Sequence, residues 1–85
     1  LDRDWSMNLE EPEYENDINL LIEKAIKAVQ QTKKGCYVNL VTPVIFGNPT
    51  QFLSTLLDEV FNKSIRHKYI DHCGCGGYVY RVWKL

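Results

Sequence analysis

No stretch of this chain is both long and apolar enough to cross a bilayer as a helix, which excludes a membrane-spanning helix. Charge of one sign is not in excess. Ten basic and eleven acidic residues leave a net −1, so bulk charge gives no pull toward nucleic acid or an acidic surface. Cysteine is scarce and odd in number, three in all, whereas a secreted disulfide scaffold carries an even set. The opening residues, Leu1-Asp2-Arg3-Asp4-Trp5, have neither a basic n-region nor an apolar h-region. A signal peptide is therefore not expected, and free thiols in a reducing cytoplasm are. There is no internal repeat and no low-complexity tract. With two histidines in the chain, no Ser/His/Asp set can be picked out, nor can a paired-carboxylate site or a phosphate-cradling loop. The sequence thus offers no ordinary catalytic centre.

What remains is an ordinary globular composition, 45% apolar and 25% charged over 85 residues, which fits one domain spanning 1–85. Trp5 to Leu9 alternates apolar and polar, as a short strand does. Glu10 to Glu15 is acidic, contains Pro12 and is expected to be a linker. Asn16 or Asp17 is suited to cap a helix, since its side-chain oxygen accepts free N–H groups of the first turn. Ile18, Leu21, Ile22, Ala25, Ile26 and Val29 then make one apolar stripe at helical spacing. Lys33, Lys34 and Gly35 are the expected stop.

Cys36 to Thr42 is a β-rich, nearly continuous apolar run that suits a central strand. Pro43 to Gly47 is a loop. Asn48, Pro49 and Gln51 read as the start of a second helix. Its stripe is Phe52, Leu53, Leu56, Leu57, Val60 and Phe61. Ile65 to Ile70 and Tyr78 to Trp83 read as two further strands joined by a glycine-rich hairpin turn. The expected fold is an α/β (α+β) two-layer sandwich of order β-α-β-α-β-β. A four-stranded mixed sheet carries two helices on one face, because each helix has a single stripe to bury. The first crossover is expected to be right-handed.

The chemistry concentrates in Cys73-Gly74-Cys75-Gly76-Gly77, which holds two of the three cysteines and three of the five glycines. Thiols are reactive side chains, and glycines bare the backbone around them. Several readings stand open. The cysteines can be small apolar fillers of a hairpin. They can hold zinc or copper with His72, but zinc sites usually space cysteines by two to four residues and need a second pair. They can form a strained, labile disulfide, with Arg66, Lys68 or His72 favouring the thiolate.

Three stretches resemble a known family of small, largely archaeal proteins, the CGCGG family. They are Trp5-Ser6-Met7-Asn8-Leu9-Glu10, Val38-Asn39-Leu40-Val41-Thr42 and Cys73 to Val82. With the helix between the first two, the resemblance covers nearly the whole chain. It implies a ribosomally made precursor whose cysteine-glycine motif is modified by a partner radical SAM enzyme. The modification sites would be Cys73 and Cys75, with Gly74, Gly76 and Gly77 granting access. On that reading the protein is a substrate and not a catalyst. The chain departs from a peptide precursor in its globular patterning, which has no disordered leader.

A different class of function rests on Tyr69, Tyr78, Tyr80 and Trp83 mixed with Arg66, Lys68 and Arg81, an aromatic and basic strand surface for single-stranded nucleic acid. The element order is similar to that of small nucleic-acid-binding folds such as Alba, but a shared fold does not carry function. Strand alternation is expected to send half of those aromatics into the core. Trp5 and Cys36 are expected there too.

Overall fold

The computed structural model describes residues 2–72 and 76–85. Its elements are β1 (Trp5–Asn8), α1 (Pro12–Glu15), α2 (Ile18–Gln31), β2 (Tyr37–Thr42), α3 (Thr50–Phe61), β3 (Ile65–His72) and β4 (Tyr78–Lys84). Short 3-10 turns at Val44–Phe46 and Asn62–Ser64 flank α3. The four strands form one mixed sheet in the order β1-β2-β4-β3. β1 runs parallel to β2, and β4 is antiparallel to both of its neighbours. This is the expected two-layer α+β sandwich.

Alternation along the strands assigns the two faces. On β2, Val38, Leu40 and Thr42 are buried, while Tyr37, Asn39 and Val41 are half-exposed. On β4, Tyr80 and Val82 join the buried set. One cluster unites these residues with Leu21, Ala25, Ala28 and Val29 of α2 and Leu53 and Leu57 of α3. α2 and α3 therefore lie on one side of the sheet, and among the described residues the other side carries no helix.

Local chemistry explains most boundaries. Asp17 caps α2, its carboxylate accepting from the N–H groups of Asn19 and Leu20 at 3.1 and 3.2 Å, an interaction worth about 1 kcal/mol. Asn48 opens α3 by accepting from Thr50 N at 2.9 Å. Glu23 and Lys27 pair at 3.6 Å on the exposed side of α2.

Two expectations are corrected. The acidic segment 10–15 is not a plain linker but contains the single turn α1, with Pro12 at its first position and Tyr14 buried beneath it. Proline presets the helical φ there and lacks an N–H that the first turn would leave unpaired anyway. Nor do Lys33, Lys34 and Gly35 end α2. Its C-cap is Thr32, whose N–H bonds to Val29 O and whose hydroxyl donates to Ala28 O at 2.8 Å. Lys84, from the end of β4, reaches across to the carbonyls of Val29 and Thr32 at 3.1 and 3.2 Å. A cation delivered by the sheet thus meets the negative end of the helix dipole. Gly35, at φ +90°, makes the turn into β2 instead.

The α3 stripe is also narrower than its spacing suggests. Leu57 is fully buried, whereas Val60 is 45% exposed, the packing of the last turn passing to Phe61. Leu57→Ala is expected to cost about 2–5 kcal/mol, while Val60→Ala stays within about 0.5 kcal/mol. Urea unfolding of the two variants checks this.

Candidate functional site

β3 and β4 pair antiparallel as a hairpin, and the cysteine-glycine run falls between them in the sequence. Their last cross-strand pair is His72 with Tyr78. Five residues join them, and Cys73, Gly74 and Cys75 lie outside the described residues. Gly76 and Gly77 lie within. Gly76 has φ +102°, a conformation that L side chains rarely adopt. Gly77 is buried, and a methyl group there would run into the Glu10 carboxylate and sit 2.8 Å from the Thr42 carbonyl oxygen. Its missing side chain lets the returning strand enter between the end of β2 and the start of the acidic segment.

A register shift lies between Tyr69 and Asp71. Simple alternation would put Asp71 on the helix side and His72 on the open side. The bulge leaves Ile70 as the extra residue, so that Asp71 pairs with Val79 and His72 with Tyr78. His72 therefore joins Tyr69 and Tyr78, with ring centroids 6.4 and 4.7 Å away, while Tyr69 and Tyr78 lie 5.9 Å apart. Burial, then the nearby Asp71 charge, raises the Tyr69 hydroxyl above the usual tyrosine range. The bulge and this aromatic cluster were not visible in the sequence. Ile70 closes the β-rich run 65–70, and nothing in that run signals which residue is left unpaired.

Next to the hairpin end is an open hollow of about 220 Å³ lined by Glu10, Glu15, Pro43, Val44, Ile45 and Gly76. Val44 and Ile45 are well exposed beside it.

The other candidate residues are dispersed. Cys36 is half-buried just before β2, and its carbonyl accepts from Lys84 N at the far end of β4. Six residues of extended β2 then separate it from the hairpin end, about 20 Å, so it does not neighbour the motif. Trp5 is likewise half-buried, its indole N–H donating to the Thr32 hydroxyl at 2.9 Å. Arg66 and Lys68 pair with Trp83 and Arg81 on the open face. Among the described residues no three His, Cys, Asp or Glu side chains cluster closely enough to hold a metal. Of the metal candidates, His72 is described; Cys73 and Cys75 are not.

His67 sits further back on β3 and faces the helices. Its Nε2 lies 2.6 Å from the Asp58 carboxylate and its Nδ1 2.6 Å from the Tyr80 hydroxyl. A carboxylate only accepts, so Nε2 donates to it; in the neutral ring, Tyr80 then donates to Nδ1. This chain ties α3 to the centre of the sheet and satisfies the buried tyrosine. Burial, followed by the Asp58 charge, pushes the Tyr80 hydroxyl up to about 12.

The geometry defines a class, a small α+β sandwich whose thiol- and glycine-bearing run joins the last two strands of its sheet. The comparisons narrow it. The chain belongs to a family described as "Putative radical SAM target protein", whose model matches residues 1–84. No curated protein and no solved structure matches it. Among the described residues no helix is long and apolar enough to cross a membrane.

Two outcomes follow. Gly77→Ala is expected to cost about 1–3 kcal/mol through overpacking. Gly76→Ala meets no neighbouring atom and should cost only backbone strain, on the order of 1 kcal/mol; urea melts distinguish them. For Tyr80, the folded-state pKa lies above the unfolded value. Its contribution is therefore whole below about pH 10 and is lost as pH rises toward 12, a fall of roughly 2–3 kcal/mol. Unfolding curves from pH 9 to about 12 should show that fall in the wild type beyond what Tyr80→Phe shows.

Proposed function

We propose that this protein is a substrate modified at Cys73 and Cys75 by a radical SAM enzyme, with Gly74 and Gly76 keeping the approach clear and the buried Gly77 seating the start of β4. One observation carries the reading: a chain that belongs to the radical SAM target family has two of its three cysteines in the short connection between His72 and Tyr78. The flanking structure supports it. β4 is hydrogen-bonded on both sides and Gly77 is wedged against Glu10 and Thr42, so the base of the loop is held in place. Two thiols separated by one glycine offer adjacent reactive centres with minimal obstruction.

The resemblance to the CGCGG family further implies that the enzyme is a dedicated partner. Recognition then has the whole domain to draw on, since the family match spans residues 1–84 and not the pentapeptide alone. The hollow beside Gly76, with the exposed Val44 and Ile45 at its rim, is the described surface such an enzyme meets on reaching the loop.

The test is the intact mass of the protein isolated from its native host. The expected result is a mass that departs from the encoded sequence, with fragmentation placing the change within residues 73–77. Cys73→Ser and Cys75→Ser should each remove or reduce it. An unmodified mass in cells that express the partner enzyme refutes the proposal.

A further inference from the structure

The side of the sheet without helices carries an ordered set of side chains. Register aligns Arg66, Trp83 and Tyr37 across β3, β4 and β2. The next row on that face is Lys68, Arg81, Asn39 and Ser6. Toward the hairpin end the row is Asp71, Val79, Val41 and Asn8. Three cations thus share these rows with one carboxylate, Asp71, and a second, Asp4, accepts from Tyr37 N at 2.9 Å at the margin of the face.

The centre of this face is pre-ordered. Tyr37 and Trp83 meet edge to face, with ring centroids 6.3 Å apart. The Arg81 guanidinium lies 4.0 Å from the Tyr37 centroid and 5.8 Å from that of Trp83. Its Nε donates to Asn39 Oδ1 at 2.8 Å, which holds the guanidinium in place. Arg66 and Lys68 flank the group and are exposed. Three of the four aromatics that the sequence suggested for such a surface are elsewhere. Tyr69, Tyr78 and Tyr80 lie on the helix side, and Tyr37 takes their place beside Trp83.

We propose that this open face binds single-stranded nucleic acid. Bases stack on aromatic rings and on guanidinium planes, which Trp83 and the Arg81 guanidinium lying over Tyr37 supply. Phosphates are met by Arg66 and Lys68, on β3 at the sheet edge. A duplex buries its bases and presents grooves, whereas this face is broad and carries no helix or ribbon to enter one. A second copy is a poor occupant, because face-to-face pairing would bring the two sets of Arg66, Lys68 and Arg81 together. Val41 and Val79 are too small an apolar area for a lipid surface. The proposal is independent of the cysteine modification.

Fluorescence anisotropy on the full chain tests it, with labelled oligo(dT) and oligo(U) of roughly ten nucleotides and a duplex of equal length. Single strands should bind better than the duplex. With three phosphates neutralised, log K should fall against log salt with a slope of about −2. The double substitution Arg66→Gln, Lys68→Gln changes only exposed side chains and should make that slope shallower by about 1.4. Trp83→Ala should weaken binding roughly ten-fold at unchanged slope, with circular dichroism verifying its fold. No binding at low salt, preference for the duplex, or an unchanged slope in the double variant overturns the proposal. So does self-association in sedimentation that the double variant strengthens.

Discussion

β4 is the strand on which the rest of the structure depends. It enters the sheet last and takes its place between β2 and β3, hydrogen-bonding to both. Its alternation sends Tyr80 and Val82 into the core, while Arg81 and Trp83 go to the open face. Lys84, at its end, reaches the free carbonyls of α2. Gly77, just before its start, fits where a larger residue would collide with Glu10 and Thr42. A central strand fixed on both edges cannot slip register without moving its whole buried set to the other face. The exit point of the cysteine-glycine run is therefore fixed by long-range pairing, although the run itself is local.

The legible part of the fold was the part written in periodicity. The stripes at 18–29 and 52–61 and the β-rich runs at 36–42, 65–70 and 78–83 each became the element their spacing indicated, with Cys36 just outside β2. Asp17 was readable because capping is local chemistry within three residues. α3 starts one residue later than expected, with Pro49 at its N-cap and Asn48 accepting from Thr50 N just ahead of it. The end of α2 was not readable. Lys33, Lys34 and Gly35 form a conventional stop signal, but the helix closes earlier, on Thr32. That residue is stabilised by Trp5 from 27 positions before it and by Lys84 from 52 after it. Contacts of that range leave no mark on neighbouring sequence.

The same contrast holds at the candidate site. The identity of the cysteine-glycine run and its position between two strands could be read directly. The parity of the strand leading into it could not, because the shift between Tyr69 and Asp71 exchanges the faces of every residue after it. That shift moves His72 into an aromatic cluster with Tyr69 and Tyr78. It also adds Asp71 to the open face. The aromatic surface expected from sequence was redistributed for a simpler reason. Tyr80 and Tyr69 are opposite one another on the buried face, so the open face draws its second ring from Tyr37 on β2, a strand read only as apolar.

A folded substrate has a physical advantage over a linear one. A disordered segment pays its ordering entropy when it binds, which lowers affinity for a given contact area. Here the base of the loop is already ordered by two ladders and by the seat of Gly77. On the proposed function, the modifying enzyme then spends less of its binding energy on arranging the approach. It can take specificity from surfaces far apart in sequence, such as Glu10, Glu15 and Ile45, which meet only because the domain folds. On the proposed function, this fits a family match that extends over residues 1–84. On the same reading, the core residues that position β4 serve recognition as much as stability, because they fix where the strands flanking the run end.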